Sequence, residues 1–262
     1  MRLALILAAG AALAATAGPE TEQQWRAQYE TSLKAPNGWL SVAGLSWLKE
    51  GANAVELPAD APEKSVALRL DHGKVTYQGR ALKTDNTDHP DVLKFGEVSL
   101  TIIERVGKFG VRIRDPHAET RRDFKGCAWF PVDAAWRIQA RWVAYPKPKT
   151  IAITNILGMT DQEPSPGYAE FILHGQTMRL EPVLDDGELF FMFKDATSAK
   201  TTYGAGRFLY AEAPKGNTVE LDFNKAHNPP CAFTAFATCP LPAKQNVLAA
   251  AIEAGEKKYG AH

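Results

Sequence analysis

Two clusters of residues in the second half of the chain have the types and spacing for chemistry. Asp195, Thr197, Ser198, Tyr203 and Arg207 surround Gly204 and Gly206. A carboxylate and a guanidinium beside a glycine-rich loop can hold an anion against backbone amides. Further on, Asp222, Asn224 and Asn228 place short polar groups at the end of the apolar run Val219, Leu221, Phe223. Strand alternation puts Asp222 and Asn224 on one face, where they suit either ligand contacts or turn hydrogen bonds. As a catalytic set, Asp195 or Asp222 would serve as base, with Arg207 and Asn224 stabilising developing negative charge. Tyr203 and Asn228 are the accompanying ligand-binding candidates. The competing reading is a structural Asp195–Arg207 ion pair.

The cysteines and histidines allow less. Cys231 and Cys239 stand eight positions apart between prolines. A disulfide is the first reading, followed by reduced buried thiols and then by a metal pair or nucleophile. A ring of that size would contribute about 2.5 kcal/mol. Cys127, between Gly126 and Ala128-Trp129, reads as a core thiol. His117-x-Glu119 resembles half of a zinc-deaminase signature, but the Cys-x-x-Cys half is missing. The remaining histidines are scattered without metal spacing. The stretch Arg112, Arg114, Asp115, His117, Glu119, Arg121, Arg122, Asp123 reads as a solvated loop rich in ion pairs. No cofactor is indicated.

These groups must be held by an element pattern that changes period along the chain. Thr21-x-x-Gln24 is a capping box, and Trp25, Tyr29 and Leu33 follow on one helical face until Pro36-Asn37-Gly38. Thereafter the period is two. Val66, Leu68, Leu70 and Val98, Leu100, Ile102 alternate with polar neighbours, as do Trp136, Ile138, Ala140 and Trp142. Turns fall at His72-Gly73, Val106-Gly107, His174-Gly175 and Asp186-Gly187. Many short strands without alternating helices predict a mainly β fold: an antiparallel barrel or sandwich with an N-terminal amphipathic helix. Pro146-Lys147-Pro148-Lys149 reads as a stiff connector and Pro164-Ser165-Pro166-Gly167 as a turn-rich stretch. Arg207–Ala211 and Val219–Phe223 are expected to pair as a hairpin, bringing Arg207 to Asp222.

The chain has 262 residues with 30 Lys+Arg against 30 Asp+Glu, so bulk nucleic-acid binding is disfavoured. Its 45% hydrophobic content is that of a folded protein. Met1-Arg2, the apolar run Leu3–Ala15 and Ala15-Thr16-Ala17 have the layout of a secretory signal peptide. The expectation is therefore a signal peptide at 1–17 and one β-rich domain at 18–262, periplasmic or secreted, without a membrane anchor after cleavage.

Asp222 to Cys231, the Thr238-Cys239-Pro240 that follows, and Ala254-Gly255-Glu256-Lys257 are similar to one bacterial family. So are Gly38 to Leu45, Phe124 to Pro131, and the two segments around Asp195 and Tyr203. On these residues the mature chain resembles the domain of unknown function 1684. That family has no established activity, so the resemblance implies none. One departure is Val247 to Ile252, where members tend to carry proline and this chain has Ala249-Ala250-Ala251. Two functional classes stand: a periplasmic hydrolase or acid–base enzyme acting on a small polar or anionic substrate, and a non-catalytic module binding such a ligand.

Overall fold

The computed structural model describes residues 21–260; the signal-peptide segment lies outside them. Helix α1 (Glu22–Lys34) starts as its sequence requires. The Thr21 hydroxyl accepts from the Gln24 backbone N–H at 3.2 Å, and the Gln24 side chain accepts from the Thr21 N–H at 2.9 Å. Its inward face carries Leu33, which is buried, and Trp25 stacked on Tyr29 with ring centroids 5.5 Å apart.

The first half of the chain contributes β1 (Val42–Trp47), β2 (Gly51–Glu56), β3 (Ser65–Asp71), β4 (Lys74–Tyr77), β5 (Arg80–Ala81), β6 (Val92–Phe95), β7 (Val98–Arg105) and β8 (Lys108–Arg114). They form two antiparallel sheets, ordered β1, β8, β7, β6 and β2, β3, β4, β5. The period of two in β3 buries Val66, Leu68 and Leu70 and exposes the residues between. A tight turn at Val106-Gly107, both with positive φ, joins β7 to β8 with Arg105 opposite Lys108.

The second half supplies β9 (Arg137–Thr154), β10 (Thr160–Leu173), β11 (Gln176–Leu180), β12 (Val183–Asp185), β13 (Glu188–Phe193), β14 (Arg207–Ala211) and β15 (Thr218–Asp222). Their sheets are ordered β11, β10, β9, β15 and β12, β13, β14. The fold is mainly β and antiparallel with an N-terminal helix, as its periodicity predicts.

Two local expectations are corrected. The proline-rich stretches lie inside β9 and β10 and do not separate elements. Lys149 pairs with Ser165 and Ala144 with Gly167, so Pro146 and Pro148 occupy an irregularity in the ladder. A bulge is where a residue without an N–H costs the sheet least. Secondly, β14 and β15 do not pair with each other. β14 pairs with β13, and β15 pairs with β9, whose Arg137 lies opposite Asp222.

Candidate ligand-binding site

The first predicted cluster closes on itself. The β13–β14 register sets Phe193 opposite Arg207 and so brings Arg207 to Asp195. One guanidinium nitrogen donates to Asp195 at 2.5 Å and to the Ile252 carbonyl at 2.9 Å; the other donates to the Ala254 carbonyl. The other Asp195 oxygen accepts from the Thr197 N–H at 2.6 Å and from its hydroxyl. The two side chains are 1% and 0% exposed, which leaves no path for a ligand. Gly206 belongs to this packing. At φ +109° a Cβ would stand 2.7 Å from the Phe193 carbonyl, so the glycine serves close approach to the protein's own backbone.

The second cluster is likewise satisfied. Asp222 accepts from the Asn224 N–H at 3.2 Å and from its side-chain amide at 2.9 Å. Asn224 also clamps Asp133, accepting from its N–H at 3.0 Å and donating to its carbonyl at 2.9 Å. Among the described residues, no hydrogen bond or ion pair joins Asp195 and Arg207 to Asp222 and Asn224. Tyr203 donates to the Cys231 carbonyl at 3.0 Å. The cysteines are free thiols, which corrects the expected disulfide. The Cys239 sulfur is occupied as acceptor for the Cys231 backbone N–H at 3.2 Å, in the turn that Pro229 and Pro230 impose.

Two residues with unsatisfied buried polar atoms, Arg112 and Asn228, line a cavity of about 340 Å³ at the junction of the two halves. Its size suits a small organic molecule. α1 contributes Tyr29 and Leu33, the turn after it Trp39, β7 and β8 Arg105 and Arg112, and β13 and β14 Phe190, Phe208 and Tyr210. His227, Asn228, Thr238, Cys239, two prolines and Asp185, whose carboxylate accepts from the Tyr210 hydroxyl at 2.9 Å, complete the wall. Phe190 stacks on Tyr210 at 4.6 Å, and the His227 ring lies 4.9 Å from Tyr29 and parallel to Tyr210.

Arg112 is the exceptional residue. It is 5% exposed, and its Nε and Nη2 have no hydrogen-bond partner. The guanidinium sits 4.8 Å from the centroid of the Trp39 ring. Asp85 is the nearby carboxylate, but Arg105 takes it at 2.7 and 3.0 Å and leaves Arg112 at 3.8 Å. Burial first, then repulsion from Arg105 and Arg114, pushes the Arg112 pKa down to about 10, so it remains a cation at neutral pH. A buried donor without a partner costs about 1–3 kcal/mol, and more when charged. Arg112 therefore stands ready to receive an acceptor with two lone pairs, the geometry of a carboxylate or phosphate.

His227 and Asn228 bring acceptors. His227 Nδ1 lies 3.1 Å from the Lys225 carbonyl, which can only accept, so the proton is on Nδ1 and Nε2 carries a lone pair. Burial among the rings pushes the His227 pKa down to about 4 and keeps it neutral. Asn228, 1% exposed, donates to the Lys257 carbonyl at 2.8 Å and leaves its Oδ1 without a partner. Its backbone N–H is held at 2.7 Å by Glu256, whose other oxygen is also unpartnered.

Of the candidates read from sequence, Asn228 and Cys239 line this cavity and Asp195, Tyr203, Arg207, Asp222 and Asn224 do not. The charged stretch around Arg112 reads as solvated in the sequence, whereas Arg112 itself is buried. The available signal was its place in Val111-Arg112-Ile113, an arginine in the middle of a strand whose neighbours are buried.

The profile of a family described as protein of unknown function (DUF1684) matches residues 122–257. The family-like stretch at 38–45 lies outside that match, which is narrower than the whole-chain resemblance expected. A search of curated proteins finds no match. Among solved structures, the chain is similar to an uncharacterized protein from Haloarcula marismortui, determined in solution by NMR. The two are 29% identical over 54% of this chain and 81% of that one, with a TM-score of 0.46.

Proposed function

Because the chain belongs to the DUF1684 family, whose description assigns no reaction, we propose a function from the cavity itself: it binds a small organic anion, with Arg112 as its anchor. The observation that carries this reading is a buried cation with two unpartnered donors in a cavity wall. Burying such a group without a partner is costly, and a bound anion removes that cost. The apolar rings around it exclude water and strengthen the pairing.

Binding is favoured over acid–base catalysis for two reasons. The Asp195–Arg207 pair is out of reach of any substrate. His227, with its pKa near 4, is a poor base at neutral pH. The signal-peptide layout of residues 1–17 supports an exported setting, hence a periplasmic or secreted binding protein.

A thermal-shift screen tests this, pairing small carboxylates, phosphates and sulfonates each with an uncharged analogue. At a hundredfold excess over Kd, a bound anion should add about 2.7 kcal/mol to stability. We expect at least one anion to raise Tm where its neutral analogue does not, and Arg112→Gln to abolish that rise. Equal shifts from the anions and their analogues, or a shift that survives in Arg112→Gln, would count against the reading.

A further inference from the structure

We propose that the ligand is a flat aromatic carboxylate bearing a second, hydrogen-bond-donating group on its ring, such as a hydroxyl or an amine. This rests on the anion reading above and narrows it to a chemical class.

Tyr29, Trp39, Phe190, Phe208, Tyr210 and His227 all line the cavity. Phe190, Tyr210 and His227 stack in one column, their planes inclined by 15° and 8°, while Phe208 stands edge-on to Phe190 and His227 at 85° and 88°. A wall of aromatic edges and faces favours a planar π system over a puckered one of equal volume, since an aromatic ring can meet both edge-to-face and stacked and a saturated ring gains neither. The anchoring guanidinium itself lies against the Trp39 ring.

Donors and acceptors also reach the cavity from different elements. The donors without partners, Arg112 Nε and Nη2, come from β8. The acceptors come from the segment after β15. His227 uses Nδ1 on Lys225 and leaves Nε2 for the cavity, and Asn228 Oδ1 has no partner. A simple carboxylate answers the arginine and leaves these acceptors unmet. A ligand with a donor remote from its anion answers both.

Calorimetric titration of the mature protein with 4-hydroxybenzoate, benzoate and cyclohexanecarboxylate reads the inference directly. The ring hydroxyl should tighten binding about tenfold over benzoate, the worth of one well-placed buried hydrogen bond. Benzoate should in turn bind more tightly than cyclohexanecarboxylate. His227→Phe keeps an aromatic ring and removes the acceptor, so it should bring 4-hydroxybenzoate to within about threefold of benzoate, each measured on that variant. If cyclohexanecarboxylate matches benzoate, or the hydroxyl advantage is absent or survives undiminished in His227→Phe, this inference is overturned. The anion reading still stands in that case, provided Arg112→Gln abolishes binding. If none of the three carboxylates binds, or if Arg112→Gln binds as the parent does, both fall together.

Discussion

Asp195→Ala should lower the unfolding free energy by about 3–5 kcal/mol, because it leaves the Arg207 guanidinium buried without its counter-charge. The pair lies at 2.5 Å with side chains 1% and 0% exposed, so no water can replace the lost carboxylate. The Ile252 and Ala254 carbonyls that also hold Arg207 bring partial charge only. Burial alone pulls the Arg207 pKa down, and Asp195 opposes it, which is the signature of a cation that depends on this partner. Arg207→Ala should be similarly costly, whereas the double change to Asp195→Leu with Arg207→Met should recover most of the loss. Replacing a whole buried pair with apolar groups is often neutral. Urea denaturation of the three variants decides this. A single-variant loss below about 1 kcal/mol, the value typical of an exposed pair, would show that solvent reaches the site.

Local signals specify elements whose partners lie within the same segment, and they fail where contacts become distant. Thr21 and Gln24 specify the start of α1 because both partners lie within one turn. The alternation of Val66, Leu68 and Leu70 specifies a strand because burial on one face is a property of that segment. The spacing of Asp195 and Arg207 allows both a site and an ion pair, and burial decides for the ion pair. Ile252 and Ala254, some 45 residues further on, seal the pair from solvent. The pairing of β15 with β9, and not with its sequence neighbour β14, is also fixed by distant partners. The cavity shows the same limit most clearly. It draws Tyr29 and Trp39 from the start of the chain, Arg112 from the first half and Phe208 and His227 from the end. No spacing rule connects such positions, so the site is legible only once the two halves are packed.

Glu256, one of the residues that carry the family resemblance, is a fully buried carboxyl behind the cavity. Gly255 places it: at φ +74° a Cβ would stand 2.3 Å from the Ala226 carbonyl, and only glycine lets the chain pass close enough for the Glu256 N–H to bond that carbonyl at 2.7 Å. The Glu256 side chain is then fully buried, with one oxygen on the Asn228 N–H and the other unpartnered. Tyr29, Cys127 and Asn228 lie beside it, and none of them carries a positive charge. Burial therefore pushes its pKa from 4.5 up to about 7.

The folded state thus holds a proton that the unfolded chain has released between pH 4.5 and 7. That contribution to stability is fully present below pH 4.5, falls as the pH rises through 7 and is gone above it. Its span is on the order of 3 kcal/mol. His227 acts in the opposite sense. With its pKa pushed from 6.5 down to about 4, it adds stability as the pH rises from 4 to 6.5. The two slopes oppose one another, so the parent protein should be nearly flat in this window. Each variant should unmask the other group. In urea denaturation from pH 4 to 8, Glu256→Gln should gain stability with rising pH, and His227→Phe should lose it. Parallel profiles for the parent and Glu256→Gln would show that this carboxyl titrates normally, and that the segment holding Asn228 against the cavity is open to water.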